Sequence, residues 1–182
     1  MSEYSKIDVL CEDRQQEVFA RHFLLSCGIN RYRIHYTTCP SGKQSGEQYV
    51  RQKYSMSVVS YRQVANQMTT GLVILIDADR MTVVQRLKSL EEALTASGVT
   101  PRSPEERIGI FIPKRNIETW IYYLMGNPVN EDDEYRHLQN AGECKPYVEK
   151  LARNRRQPLP DGSPPSLQTA CDELPRIIRE DS

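Results

Sequence analysis

The segment from Gly71 to Arg80 constrains the fold most, because an uninterrupted apolar run ends there in two acids. The five β-branched or leucine residues at 72–76 are typical of a strand buried on both faces, as in a parallel sheet covered by helices. Asp77 and Asp79 follow, and they would lie on the same side of the strand if the extended backbone continued. Carboxylates held close together repel unless a cation lies between them, which predicts a metal site. Alternatively, Asp77 or Asp79 caps the following helix.

A second group of acids follows the strand predicted at 6–11. The apolar residues after this group recur at helical spacing, so the pattern predicts a strand, a turn and a helix. Asp13, with Gln16 three residues later, is typical of a helix N-cap. Glu12, at the end of the strand, is then free to face a cleft. Glu17 falls on the first turn of the helix, where a negative charge also suits the helix dipole.

A third group follows the strand predicted at 107–112, which Pro113 ends. The apolar residues at 117–124 have helical spacing, which places Glu118 near the start of a helix at the mouth of the sheet. Lys114 and Arg115 lie beside it in the sequence. Two cations at such a turn could bind a phosphate, or they could form ordinary surface salt bridges.

In order and spacing, these three motifs resemble the Toprim-like proteins of the OLD and RloB kind. The likeness covers roughly residues 5 to 125. It implies a small parallel sheet between helices, with Mg²⁺ or Mn²⁺ held by Glu12, Asp77 and Asp79. Glu17 and Glu118 match the accessory acidic positions of the family. One departure is Asp13, because the family usually has glycine directly after the first glutamate.

The sequence predicts an α/β fold in two parts: a Toprim-like catalytic domain at 1–126 and a helical C-terminal extension at 127–182 packed on it. Within the extension we expect a helix near 144–155, a Pro-rich loop at 157–165 and a last helix with Ser166 as its N-cap. The acidic run at 131–134 is expected to be a solvated loop, because no periodic pattern surrounds it.

Composition favours a compact cytoplasmic protein. The 182 residues carry no net charge, and no apolar run approaches the roughly 20 residues that a membrane span needs. The N-terminus has no pattern of a secretory signal. The five cysteines are odd in number and lack metal-site spacing, so reduced thiols are expected. The three histidines, His22, His35 and His137, are isolated in the sequence and are expected to be structural.

The segment 31–62 is the best candidate for contact with nucleic acid. It carries six basic residues against the single acid Glu47, and five of the ten tyrosines of the chain. Cations follow phosphates and aromatic rings stack on unpaired bases. Alternatively, the tyrosines pack in the core and the cations are solvated. With Arg115, the candidate binding residues are Arg31, Arg33, Lys43, Arg51, Lys53 and Arg62.

These observations predict a metal-dependent nuclease that cleaves DNA or RNA phosphodiester bonds, with Lys114 or Arg115 holding the scissile phosphate. A second ion would recruit Glu17 or Glu118. No ATP-binding motif is present, and the resemblance implies defence against phage or foreign DNA beside a separate ABC-type ATPase. Two alternatives stay open: a non-catalytic nucleic-acid-binding or assembly subunit of a defence complex, and a Toprim-type nucleotidyl transferase. The sequence leaves the oligomeric state open.

Overall fold

The structure, a computed structural model, describes residues 4–179 and contains one four-stranded parallel sheet. The strands are β1 (Lys6–Cys11), β2 (Ile34–Thr38), β3 (Thr70–Leu75) and β4 (Ile108–Phe111), in the order β2-β1-β3-β4. Six α-helices connect or cover them: α1 (Arg14–Ser26), α2 (Gly46–Val64), α3 (Val83–Ala96), α4 (Ile117–Leu124), α5 (Lys145–Arg153) and α6 (Pro165–Glu173). The predicted α/β class and parallel sheet are confirmed.

Helices cover both faces of the sheet, because alternate strand residues feed two separate cores. Leu10 and Ile74 point to the layer of α2 and α3, where they pack with Val50 and Leu90. The residues next to Leu10 in β1 and next to Ile74 in β3, together with Ile7, face the layer of α1. All six residues of β3 are buried, as its continuous apolar run predicts.

Helix α3 begins later than the acids that follow β3. Its N-cap is Thr82, whose hydroxyl accepts from the Gln85 amide at 3.1 Å while the Gln85 side chain accepts from the Thr82 amide at 2.9 Å. This reciprocal pair satisfies two free donors of the first turn. The alternative that Asp77 or Asp79 caps this helix is therefore wrong.

The C-terminal helices pack on the rest of the fold. Helix α5 contacts α1 and α4, and α6 lies against β4. At the end of α6, Glu173 accepts from the Ile110 amide at 3.0 Å and pairs with Arg102 at 2.5 Å, which covers the free edge of β4. The helix predicted near 144–155 is confirmed, whereas the division at residue 126 stays a prediction.

One prediction in this region is wrong. Ser166 is not the N-cap of α6 but lies inside its first turn, where its hydroxyl is buried and accepts from the Trp120 indole at 2.8 Å. The acidic run at 131–134 is a largely exposed loop, as predicted, in which Glu131 also accepts from the Ser166 amide at 2.9 Å. A buried Trp needs a partner for its N–H, and Ser166 supplies it.

Among residues 4–179, no helix is long and apolar enough to cross a membrane. The five cysteines form no disulfide, and four of them are buried.

Candidate functional site

The candidate site lies at the carboxyl edge of the sheet, between its two central strands. The chain leaves β1 toward β2 on one side and later returns to β3 on the other, so the connections diverge between β1 and β3. In open parallel sheets, ligands bind in the crevice at this point. Glu12 follows β1 and Asp77 follows β3 by two residues, which puts both acids at the crevice.

Glu12, Asp77 and Gln16 are joined across the crevice by hydrogen bonds. The Asp77 amide donates to Glu12 Oε1 at 2.6 Å. Gln16 donates from Nε2 to Asp77 Oδ1 at 2.9 Å and accepts at Oε1 from the Glu12 amide, also at 2.9 Å. Gln16 is held in the first turn of α1 by Asp13, whose carboxylate accepts from the Gln16 amide at 2.8 Å, so Asp13 is the N-cap as predicted.

Burial and mutual repulsion oppose ionisation of this acid pair. Burial raises the pKa of Glu12 from 4.5 to about 8, opposed by the hydrogen bond from the Asp77 amide. Burial raises the pKa of Asp77 well above its usual value, and the charge of Glu12 is the second largest cause of this shift. A divalent cation between the two would reverse both shifts, because it stabilises the ionised forms.

A buried arginine supports the backbone of Asp77 from the side of α3. Arg86 is 4% exposed; its Nε donates to the Asp77 carbonyl at 2.9 Å and its Nη1 to Glu47 Oε1 at 2.5 Å. Glu47 lies in the first turn of α2 and also pairs with Arg51 at 3.0 Å. Arg86 thereby ties the starts of α2 and α3 to the loop after β3.

Helix α2 reaches the site because its first residue is glycine. A Cβ atom built on Gly46 would lie 2.6 Å from Glu12 Cβ and 2.9 Å from the Glu12 carbonyl oxygen. Real Cβ atoms essentially never come so close, and the crowded atoms belong to the main chain or to Cβ, which cannot rotate away. Only glycine permits this approach.

We therefore expect Gly46→Ala to destabilise the protein by roughly 1–3 kcal/mol and to displace Glu12. In an ordinary helix position, the same change would stabilise by up to about 1 kcal/mol, so the sign of the effect is diagnostic. Urea unfolding followed by Trp120 fluorescence measures it. A variant as stable as the wild type or more stable would show that α2 does not press on Glu12.

The predicted convergence of Asp77 and Asp79 is wrong. Strand β3 ends at Leu75, and Asp79 has φ of 57°, so the extended backbone does not continue. The Asp79 side chain is 61% exposed and accepts from Arg115 Nη1 at 2.6 Å, while Arg115 Nη2 donates to Glu134 at 2.8 Å. Asp79 thus belongs to a surface ion-pair group and not to the Glu12–Asp77 pair.

Glu118 lies beside the pair and is almost fully buried, with 1% of its side chain exposed. Its Oε1 is 2.5 Å from Nδ1 of His137, whose side chain is 78% exposed. Burial raises the pKa of Glu118, the hydrogen bond to Glu118 raises that of His137, and the charge of Glu118 contributes to the raised pKa of Asp77. His137 is thus not isolated but shares the edge of the site.

Two other predicted residues have structural partners. Glu17 pairs with Arg14 and, at 2.6 Å, with Arg21, and its Oε2 accepts from Thr38 at 2.8 Å. These contacts join Glu17 to β2 and to the outer side of α1, so a role beside Glu12 is not supported. Lys114 pairs with Asp132 at 3.3 Å.

The predicted basic segment does not form one surface. Arg31 and Arg33 precede β2 at the amino edge of the sheet, opposite the acid pair, and Arg33 contacts the Ser5 carbonyl at 3.4 Å. Arg62 is near the other end of α2, about 24 Å along the helix from Gly46, and pairs with Glu106 at 2.6 Å. The alternative expects solvated cations, whereas Arg62 is held by this ion pair.

The tyrosines of the segment do not share one surface either. Tyr54 and Tyr61 are buried in the core, whereas Tyr32 is 76% exposed. Lys53 lies 5.8 Å from the centre of the Tyr49 ring, midway along α2. Lys43 and Arg51 are the candidates that remain near the carboxyl edge, in the loop before α2 and in its second turn.

The donor set at the crevice suits a magnesium-type ion held by two carboxylates. Within residues 4–179, no three His, Cys, Asp or Glu side chains are grouped to hold a metal, so the three predicted ligands do not come together. Mg²⁺ nevertheless commonly uses only one or two carboxylates and keeps several waters or substrate oxygens. Glu12 and Asp77 fit that requirement.

Comparison of this chain with protein-family models, with curated proteins and with solved structures found no match.

The sequence did not single out Arg86, Gly46 and His137 as parts of the site. Arg86 and Gly46 act through tertiary contacts that leave no local pattern, and His137 lies in a segment without periodicity. Gln16 did leave a signal, since its position three residues after Asp13 suggested a cap.

Proposed function

We propose that the protein is a Mg²⁺- or Mn²⁺-dependent nuclease that hydrolyses phosphodiester bonds at the carboxyl edge of the sheet. The observation that carries this proposal is the Glu12–Asp77 pair, two desolvated acids at the point where the chain connections diverge, linked by the 2.6 Å hydrogen bond from the Asp77 main-chain amide to Glu12 Oε1. Such an acid pair is costly to ionise unless a cation is present, and crevices at this position bind ligands.

Each residue of the site would have its own role in this reaction. Glu12 and Asp77 would hold the ion, and Gln16 fixes the carboxylate of Asp77. A bound ion would supply an activated water and neutralise charge on the phosphate. The N-termini of α1, α2 and α4 meet this edge, and their partial positive charge favours a phosphate there. His137, oriented at Nδ1 by Glu118, can carry a proton at Nε2.

Incubation of the purified protein with supercoiled plasmid, single-stranded DNA and RNA, each with Mg²⁺, Mn²⁺ or EDTA, tests the proposal. We expect cleavage with metal and none with EDTA. The Asp77→Asn variant is expected to be inactive, and Asp79→Asn to retain activity, since Asp79 pairs with Arg115 outside the pair. Cleavage that persists in Asp77→Asn would reject the assignment.

The non-catalytic alternative, a binding or assembly subunit, is favoured by one observation. Glu12 accepts a hydrogen bond from the Asp77 amide, and burial raises its pKa, which favours its protonated form when no metal is bound. A neutral, hydrogen-bonded acid pair can be purely structural. The non-catalytic alternative predicts that the protein binds nucleic acid without cleaving it in every metal condition. It also predicts that this binding survives Asp77→Asn.

Nucleic acid is expected to approach along Lys43 and Arg51, near the pair. The double variant Lys43→Ala/Arg51→Ala is expected to weaken binding about tenfold at low salt, because each lost phosphate contact removes part of the electrostatic attraction. Arg31→Ala/Arg33→Ala removes the same charge at the opposite edge and is expected to change affinity less than about twofold. Fluorescence anisotropy measures both; equal losses would contradict this path.

The wider role proposed for the chain follows the Toprim resemblance alone. It comprises defence against phage or foreign DNA beside a separate ABC-type ATPase, whereas the proposed cytoplasmic location follows from the composition. Nucleotidyl transfer by the same acids is not favoured by any contact described above.

A further inference from the structure

A large cleft lies away from the acid pair, bounded by the loop after α4, by α5 and by the Pro-rich segment at 157–162. Its volume is about 720 Å³, which falls within the range of roughly 300–1,000 Å³ typical of small-molecule sites. Helix α4 begins beside the acid pair with Glu118 in its first turn, and Leu124, where it ends, lines the cleft. The cleft is therefore a separate place on the molecule.

The lining of the cleft favours an anion. None of its nineteen described lining residues is Asp or Glu, although the chain contains as many acids as lysines and arginines. Two cations line it, Lys150 in the last turn of α5 and Arg155 just after that helix. Arg155 Nη1 donates to the Ala152 carbonyl at 3.0 Å, which fixes its guanidinium at the wall.

Lys150 differs from the neighbouring cations of α5. Lys145 and Arg153 lie 3.9 and 4.0 Å from Glu149, which draws them to one side of the helix. Lys150 makes no ion pair with any residue of the described chain and lines the cleft. Its charge is therefore available to an anionic ligand.

The same walls offer partners for a planar ring. Tyr123 and Tyr147 line the cleft and are both partly buried. Tyrosine rings stack on nucleobases, and the amides of Asn127 and Asn154, which also line the cleft, carry both the donors and the acceptors that base edges require. Phosphate-binding cations and ring-binding tyrosines together match a nucleotide better than a simple anion.

We propose that this cleft binds a nucleoside monophosphate, with the phosphate at Lys150 and Arg155 and the base against Tyr123 or Tyr147. The same chemistry is present in a free nucleotide and in the 5′-phosphorylated end of a nucleic-acid strand. The inference does not depend on the proposed hydrolysis, because the Glu12–Asp77 pair takes no part in it.

Calorimetric titration of the full chain with AMP, adenosine and inorganic phosphate, in EDTA, tests the inference. AMP is expected to bind at least about tenfold more tightly than adenosine or phosphate, since only AMP uses both halves of the cleft. Lys150→Gln is expected to weaken AMP binding about tenfold through loss of a charge-assisted contact, and Tyr147→Ala by a similar factor through loss of stacking.

The matched control is Lys88→Gln, which removes another exposed lysine charge, from α3 on the other side of the sheet, and should leave AMP binding unchanged. The inference would be overturned if AMP did not bind at about 1 mM, a typical metabolite level. It would also be overturned if AMP bound equally well to the wild type and to Lys150→Gln. Lys150 is exposed, so its variant should melt as the wild type does, and it decides the question even if Tyr147→Ala fails to fold.

A competing 5′-phosphorylated oligonucleotide identifies the source of the ligand. Displacement of AMP by this oligonucleotide, but not by its unphosphorylated form, supports the end of a strand. Failure of both to displace AMP supports the free nucleotide.

Discussion

Replacing Glu12 with glutamine is expected to abolish metal-dependent cleavage while making the metal-free protein more stable at alkaline pH. Activity should fall at least about 100-fold, since even residues that only support metal ligands cost 10–100-fold when changed. Stability should rise because the amide keeps the hydrogen bond from the Asp77 amide and cannot ionise. The two effects have opposite signs, which a general loss of folding would not produce.

The pH dependence follows from the direction of the shift. The pKa of Glu12 is raised from 4.5 to about 8, so between these values the folded protein binds more protons than the unfolded chain. Stability of the wild type in EDTA should therefore decrease as pH rises from about 4.5 to about 8, by on the order of a few kcal/mol, and Asp77 acts in the same direction.

Urea unfolding at pH 5, 7 and 9 measures this slope in the wild type and in Glu12→Gln. The variant should show a clearly shallower decrease. Added Mn²⁺ should stabilise the wild type more at pH 8 than at pH 6, because a metal binds the ionised carboxylates. Equal slopes in the two proteins would mean that Glu12 is not held in a desolvated, protonated state.

Replacing Arg86 with methionine is expected to be the most destabilising single change near the site, at about 3–5 kcal/mol. Arg86 is 4% exposed and donates to the carbonyl of Asp77 and to the carboxylate of Glu47. Methionine fills much of the same volume but leaves these acceptors without their donor. The loop that carries Asp77 would then lose its support, so activity should fall with stability.

Arg51→Met is the matched control, because Arg51 pairs with the same Glu47 carboxylate at 3.0 Å but is 44% exposed. An exposed pair of this kind contributes at most about 1 kcal/mol. Combining Arg86→Met with Glu47→Gln should cost less than the sum of the separate changes, because no carboxylate charge is then left at Glu47 without its arginine partner. An Arg86→Met variant no less stable than Arg51→Met would contradict a buried structural role.

The fold was predictable from the sequence where a local pattern dictates structure. The apolar run before Asp77 indicated a central parallel strand, and the spacing of Asp13 and Gln16 indicated the start of α1. Both are confirmed. These signals are local, since they depend on strand and helix periods and on the chemistry of one cap.

The site was predictable only in part. Glu12 and Asp77 meet because parallel strands end at one edge, which topology guarantees. Asp79 leaves the pair because its φ is positive and Arg115, far along the chain, binds its carboxylate. A single backbone angle and one tertiary ion pair therefore separate Asp79 from the Glu12–Asp77 pair, and neither of these features has a sequence pattern.

The nature of the acid pair is tested most directly by calorimetric titration of Mn²⁺ into the wild type, Glu12→Gln and Asp79→Asn at pH 8. We expect the wild type and Asp79→Asn to bind Mn²⁺ with similar affinity and to release protons on binding, as buried acids ionise. Glu12→Gln should bind at least about tenfold more weakly. Loss of binding in Asp79→Asn with retention in Glu12→Gln, or no binding by the wild type, would contradict a metal site formed by Glu12 and Asp77.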